Sequence, residues 1–152
     1  AALAFARLCD PVTAGIQPEA RIQACKLITS SMISNPDMVA GSGEFDTCLM
    51  EIGTGRFLSK SGAEGYIGLG LMPGALKSAS SAIGIAIKIS DGDLKGRAIP
   101  AVSLEVLRQL NALSNSDLDA LHQFGPVIPI LNWRGLTVGE GKPIFALQFS
   151  PE

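Results

Sequence analysis

The triplet Lys60-Ser61-Gly62 concentrates the groups in this sequence that are able to do chemistry. A lysine ammonium and a serine hydroxyl beside a residue without a side chain supply a cation, a hydrogen-bonding partner and open access to the backbone. Such a set binds a carboxylate, and the next amide, of Gly62 or Ala63, can face a developing oxyanion. A strand leaving a tight turn accounts for the same three residues. Glu64 offers a carboxylate for an α-amino group, or is an ordinary exposed charge at a strand end.

No serine in the sequence has a lysine placed to activate it as a nucleophile. Acyl transfer by serine needs an adjacent base, and the Ser-x-x-Lys spacing that supplies a lysine occurs nowhere in the 152 residues. The single histidine, His122, makes a Ser-His-Asp triad hard to build and removes His-based metal sites. It is expected as an exposed capping residue in the last turn of a short helix. Cys9, Cys25 and Cys48 are widely spaced, with neither metal-ligand pairs nor a disulfide pattern, which points to a reducing, cytoplasmic setting. Cys25 reads as a core residue. Asp91 and Asp93 flank Gly92 in a turn signal, and a calcium loop would require more carboxylates at alternate positions. Arg97 is placed to pair with either aspartate.

Two alternating segments must position the triplet. Ile67, Leu69 and Leu71 alternate with Gly68 and Gly70; Ile83, Ile85, Ile87 and Ile89 alternate with Gly84, Ala86 and Lys88. Each is expected to form a strand with one apolar face and one nearly bare face, the latter suited to a helix or ligand that approaches the backbone. With a first strand over residues 56–61, segments 65–72 and 82–90 are expected to form a central antiparallel sheet. Helices are expected over residues 18–33, with Ile22, Cys25, Ile28 and Met32 inward, and over 44–52, with Phe45, Cys48, Leu49 and Ile52 inward. Another spans about 98–111 on Ile99, Val102, Val106 and Leu110, and a shorter one is capped by Asn115 or Ser116 and ends near Gly125-Pro126. The tail mixes loop and strand, with a final strand over 144–149. The fold class is therefore α+β: an antiparallel sheet with packed helices.

Composition agrees with a single compact domain. The chain is 47% hydrophobic and 17% charged, with a formal net charge of −2 and no basic run, so neither nucleic acid nor an anionic membrane surface is implied. No apolar stretch approaches the roughly 20 residues of a membrane span. Residues 1–8 read as the middle of a buried helix without a preceding cap, so a carboxyl-terminal fragment of a longer chain is expected, although a processed amino terminus would look the same.

Met38-Val39-Ala40-Gly41, Phe45-Asp46-Thr47-Cys48-Leu49-Met50 and Lys60-Ser61-Gly62-Ala63-Glu64-Gly65 resemble the bacterial L-asparaginase II family, the rhizobial type. The run from Gly84 to Gly92, followed by Arg97-Ala98, resembles the carboxyl-terminal half of the same family. The resemblance implies a fold related to serine β-lactamases and glutaminases, and hydrolysis of L-asparagine to aspartate and ammonia. It places Lys60 and Ser61 in the catalytic cleft, Ser61 on the substrate carboxylate and Lys60 in the proton network. Gly62, Ala63, Glu64, Asp46 and Thr47 would bind substrate. The family's Ser-x-x-Lys lies in its amino-terminal half, outside these residues. Some relatives bind zinc, for which Asp46 or Cys48 is the nearest candidate here. The tyrosine that glutaminases place before the triplet has no counterpart, since Tyr66 follows it. Self-association is expected, with that missing half as another partner. The rivals are a non-catalytic binding module that kept the fold and a penicillin-recognising serine hydrolase; asparagine is not distinguished from glutamine.

Overall fold

The computed structural model describes residues 1–149. Alternation in the middle of the sequence produces the sheet: β1 (Phe57–Gly62), β2 (Tyr66–Leu71) and β3 (Ile83–Lys88) are antiparallel neighbours in that order, as expected. The register sets Ser59 opposite Leu69 and Leu69 opposite Ile85. Phe57, Ile67, Leu69 and Leu71 are therefore on one face, and they form the core with Leu49 of α4 (Phe45–Gly53) and with Leu104 and Leu107 of α5 (Ala98–Gln109). The α+β class follows directly.

The bare face carries α1 (Ala2–Cys9). A Cβ built on Gly84 would lie 1.8 Å from the Ala2 carbonyl oxygen, one on Gly68 would lie 2.1 Å from the Phe5 ring, and one on Gly70 2.3 Å from Cys9 Sγ. The glycines let helix backbone and sheet backbone meet. α1 is only partly covered, with Cys9 buried and Leu3 exposed, so the expectation of a fully buried helix holds for one side alone.

α2 (Glu19–Ser34) begins directly after Pro18, but its inward stripe differs from the expected one. Ile22 is buried and Cys25 and Met32 are half-buried, whereas Ile28 and Leu27 are exposed and Thr29 is buried. The Thr29 hydroxyl donates to the Cys25 carbonyl at 3.0 Å, which satisfies it inside its own helix and allows the buried line to pass through a polar residue. The short α3 (Asp37–Ala40) leads into α4.

α6 (Asn115–Ala120) is capped by Ser114 rather than by Asn115 or Ser116. Asp117 decides this: the Ser114 hydroxyl accepts its N–H at 3.2 Å, and its carboxylate accepts the Ser114 N–H at 2.9 Å, a reciprocal box available only one residue earlier. Arg56 ties this helix to the start of β1, donating to the Ala112 carbonyl at 2.7 Å and to the Asp117 carboxylate at 3.0 Å. His122 is exposed in a 3-10 turn, its Nδ1 2.8 Å from the Asp119 carbonyl oxygen.

Beyond it, β4 (Ile128–Leu131) and β5 (Thr137–Gly141) form a separate two-stranded hairpin with Trp133, Leu136 and Val138 exposed. The strand expected over 144–149 is not formed. Its backbone is held by a side chain of α5: the Gln109 amide donates to the Phe145 carbonyl and accepts the Leu147 N–H, both at 2.8 Å. No helix among the described residues is long and apolar enough to cross a membrane.

Candidate functional site

The site starts with Asp46 in the first turn of α4. The residue is 3% exposed, and a carboxylate so buried requires hydrogen-bond donors. β1 provides two. The Ser61 N–H donates to Oδ2 at 3.0 Å, and the Ser59 hydroxyl donates to Oδ1. Ser59 reaches the carboxylate with its side chain and Ser61 with its backbone N–H, so the strand offers the two oxygens donors of different kinds. The bonds fix α4 against β1 and set Ser61 at the floor of a cleft of about 370 Å³, to which Asp46, Gly62 and Tyr66 also contribute.

Lys60 is also on this cleft, but alternation starts its side chain from the opposite face of β1. It is exposed, and its Nζ donates to the Ser61 carbonyl at 2.8 Å. Gly62 is covered by the Tyr66 ring: a Cβ there would lie 2.9 Å from Tyr66 Cδ1. Ala63 and Glu64 form the exposed turn between β1 and β2, with Glu64 at φ +57° and its carbonyl accepting from Lys88 Nζ. Glu64 does not line the cleft. Thr47 is buried behind it, its hydroxyl bonded to the carbonyls of Pro36 at 3.0 Å and Gly41 at 2.7 Å, which holds the α3 segment against α4. The structure thus brings Asp46, Lys60, Ser61 and Gly62 together, with Ala63 at the adjoining turn, and leaves Glu64 and Thr47 to its side.

The opposite wall comes from the second glycine-punctuated segment. Gly65, at φ +67°, meets Gly92, at φ +81°, so closely that a Cβ on Gly65 would lie 2.8 Å from the Gly92 carbonyl carbon. The Ile89 N–H donates to the Gly65 carbonyl at 2.8 Å. Asp91 accepts the Asp93 N–H at 3.0 Å, a turn contact of the expected kind. Asp93 then folds back on the start of α5: Oδ1 accepts the N–H groups of Arg97 and Ala98, each at 3.1 Å, and Oδ2 accepts that of Ile99 at 2.8 Å. Arg97 meets Asp93 through its backbone; its guanidinium pairs with neither aspartate.

Three contributors escaped the sequence reading: Ser59, Tyr66 and Asp93. Ser59 had a signal, since a serine next to Phe57 on the face expected to join the apolar side of the neighbouring strand demands a buried partner. Asp93 had one too, five residues ahead of a helix start, where free amides collect.

Asp46 and Cys48 do not converge as metal ligands. Residues two apart on a helix face different sides, and both Asp46 oxygens already accept donors. Burial pushes the Cys48 thiol up, and Glu51 and Glu44 push it further, opposing the thiolate a metal needs. Among the described residues no three His, Cys, Asp or Glu side chains group to hold a metal ion.

The family model described as L-asparaginase II matches residues 1–143 of the chain. No curated protein matches it.

Proposed function

This chain belongs to the L-asparaginase II family, and from that membership we propose that it forms the substrate-binding side of an amidohydrolase that cleaves L-asparagine to L-aspartate and ammonia. The observation that supports this reading is the bond from the Ser61 N–H to the buried Asp46 carboxylate, which fixes the backbone of β1 at a serine that lines a cleft. Its volume of about 370 Å³ suits a free amino acid, since small-molecule sites range from about 300 to 1,000 Å³.

In this reading Ser61 and Lys60 receive the substrate carboxylate, and Lys60 also tunes the proton network. The amide of Gly62 or Ala63 faces the oxyanion that develops on the scissile amide. The nucleophile and its lysine base are supplied from outside residues 1–152. No step runs through zinc, because Asp46 and Cys48 do not converge. Exposed Trp133, Leu136 and Val138 support self-association through the β4–β5 hairpin.

Ammonia release by the full-length protein tests the assignment. Ser61→Ala and Lys60→Ala should each lower turnover about ten-fold or more, the scale of one lost transition-state contact. Full activity in both variants would overturn it. Residues 1–152 alone should release no measurable ammonia, since binding and oxyanion contacts leave at most ~10³–10⁴-fold catalysis over water. A second reading, a binding module without catalysis, is favoured by the lack of any Ser-x-x-Lys spacing in the chain. Binding of asparagine without turnover in the full-length protein would select it.

A further inference from the structure

An α-amino acid presents a cation as well as an anion, and Lys60 and Ser61 answer only the anion. We propose that Asp93 receives the α-ammonium group of the substrate, an inference that rests on the amino-acid amidohydrolase reading above. Glu64, the residue the sequence suggests for that task, is at an exposed turn that does not line the cleft.

Three acids do line it: Glu44, Asp46 and Asp93. Asp46 is buried, and donors from β1 occupy both its oxygens. Glu44 is exposed at the rim. Binding there would have to immobilise a long side chain. Asp93 is half-buried on the wall formed by the start of α5, and three backbone N–H groups hold its carboxylate in place. A carboxylate has about four acceptor sites, so these bonds orient the group and leave room for one more donor. An acceptor already fixed by its surroundings loses little freedom when the ligand arrives. Asp93 also contributes through a backbone contact: Gly65 and Gly92 hold the turn that carries it against the end of the β1–β2 hairpin, the same hairpin that carries Ser61. The anion and cation subsites are thereby fixed relative to each other.

The test compares L-asparagine with succinamic acid, the same molecule without its amino group, by calorimetric titration of the full-length protein at neutral pH. Wild-type protein should bind asparagine at least ten-fold more tightly. Asp93→Asn should bring the two affinities close together, and Glu44→Gln should leave their ratio unchanged. The amide resonances of Arg97, Ala98 and Ile99, which donate to Asp93, should move when asparagine is added and stay in place with succinamic acid; this readout needs no variant and stands if Asp93→Asn does not fold. Equal affinity of wild-type protein for both ligands, an unchanged ratio in Asp93→Asn, loss of the ratio in Glu44→Gln, or silent amides would overturn the assignment while the amidohydrolase reading stands. Failure of wild-type protein to bind either ligand would overturn both.

Discussion

Asp46 and Ser61, fifteen residues apart in sequence, are joined by a 3.0 Å hydrogen bond from a strand N–H to a helix carboxylate. With the Ser59 hydroxyl on its other oxygen, this carboxylate is the polar bridge between α4 and β1 in an otherwise apolar interface. Asp46→Ala orphans two donors, and a buried group left without a partner costs about 1–3 kcal/mol. Urea denaturation should therefore show a loss of several kcal/mol, with Asp46→Asn between the alanine variant and wild type because its amide oxygen still accepts one bond. Wild-type stability in Asp46→Ala would show that the bridge contributes nothing.

The glycine face of the sheet makes a second prediction. Gly84→Ala places a methyl group 1.8 Å from the Ala2 carbonyl oxygen, which belongs to backbone and can move only with its helix. Overpacking of this kind costs about 1–3 kcal/mol, and each kcal/mol lowers Tm by roughly 2–4 °C in a chain of this size. Gly139→Ala is the control: its Cβ would meet nothing nearer than Ile130 Cδ1 at 3.9 Å. Thermal melts should separate the two, and equal melting temperatures would mean that α1 yields without cost.

A third prediction concerns acid. Burial alone would raise the Asp117 carboxyl, but the Ser114 amide and hydroxyl together with the Arg56 guanidinium outweigh it and hold the group below its usual value. The folded state therefore binds this proton less readily than the unfolded one. The resulting stability is complete above the unfolded value of about 4 and disappears as pH falls through the lower folded value. Arg56→Ala should flatten this acid limb, measured as unfolding free energy between about pH 5 and pH 2. A limb of unchanged slope would remove the Arg56–Asp117 pair as its cause.

The sheet was legible because alternation states both strand and face: a slip of one residue would turn Ile67, Leu69 and Leu71 together to the opposite face. The bare face was legible too, as a place for a close neighbour, although nothing in its composition named α1 as the occupant. The Lys60-Ser61-Gly62 site was visible as a set of functional groups, but its supports were not. Asp46 and Ser59 are separated by thirteen residues, and a carboxylate's choice of partner depends on how a helix rotates against a strand. The same rotation brings Thr29 inward and leaves Ile28 outside in α2, where hydrophobicity alone favours the reverse. The expected tail strand failed for another reason. Alternation records which residues suit an extended chain, not whether another strand pairs with them.

Gln109 holds that tail by a single amide, taking the carbonyl of Phe145 and the N–H of Leu147. In an extended chain an equivalent carbonyl and N–H recur every two residues. The clasp therefore constrains the alignment of the tail only in steps of two residues. Sliding the tail by one residue turns both groups away, whereas sliding it by two offers the carbonyl of Leu147 and the N–H of Phe149 in their place. Hydrogen bonding alone leaves those positions degenerate, so the choice between them falls to side-chain size.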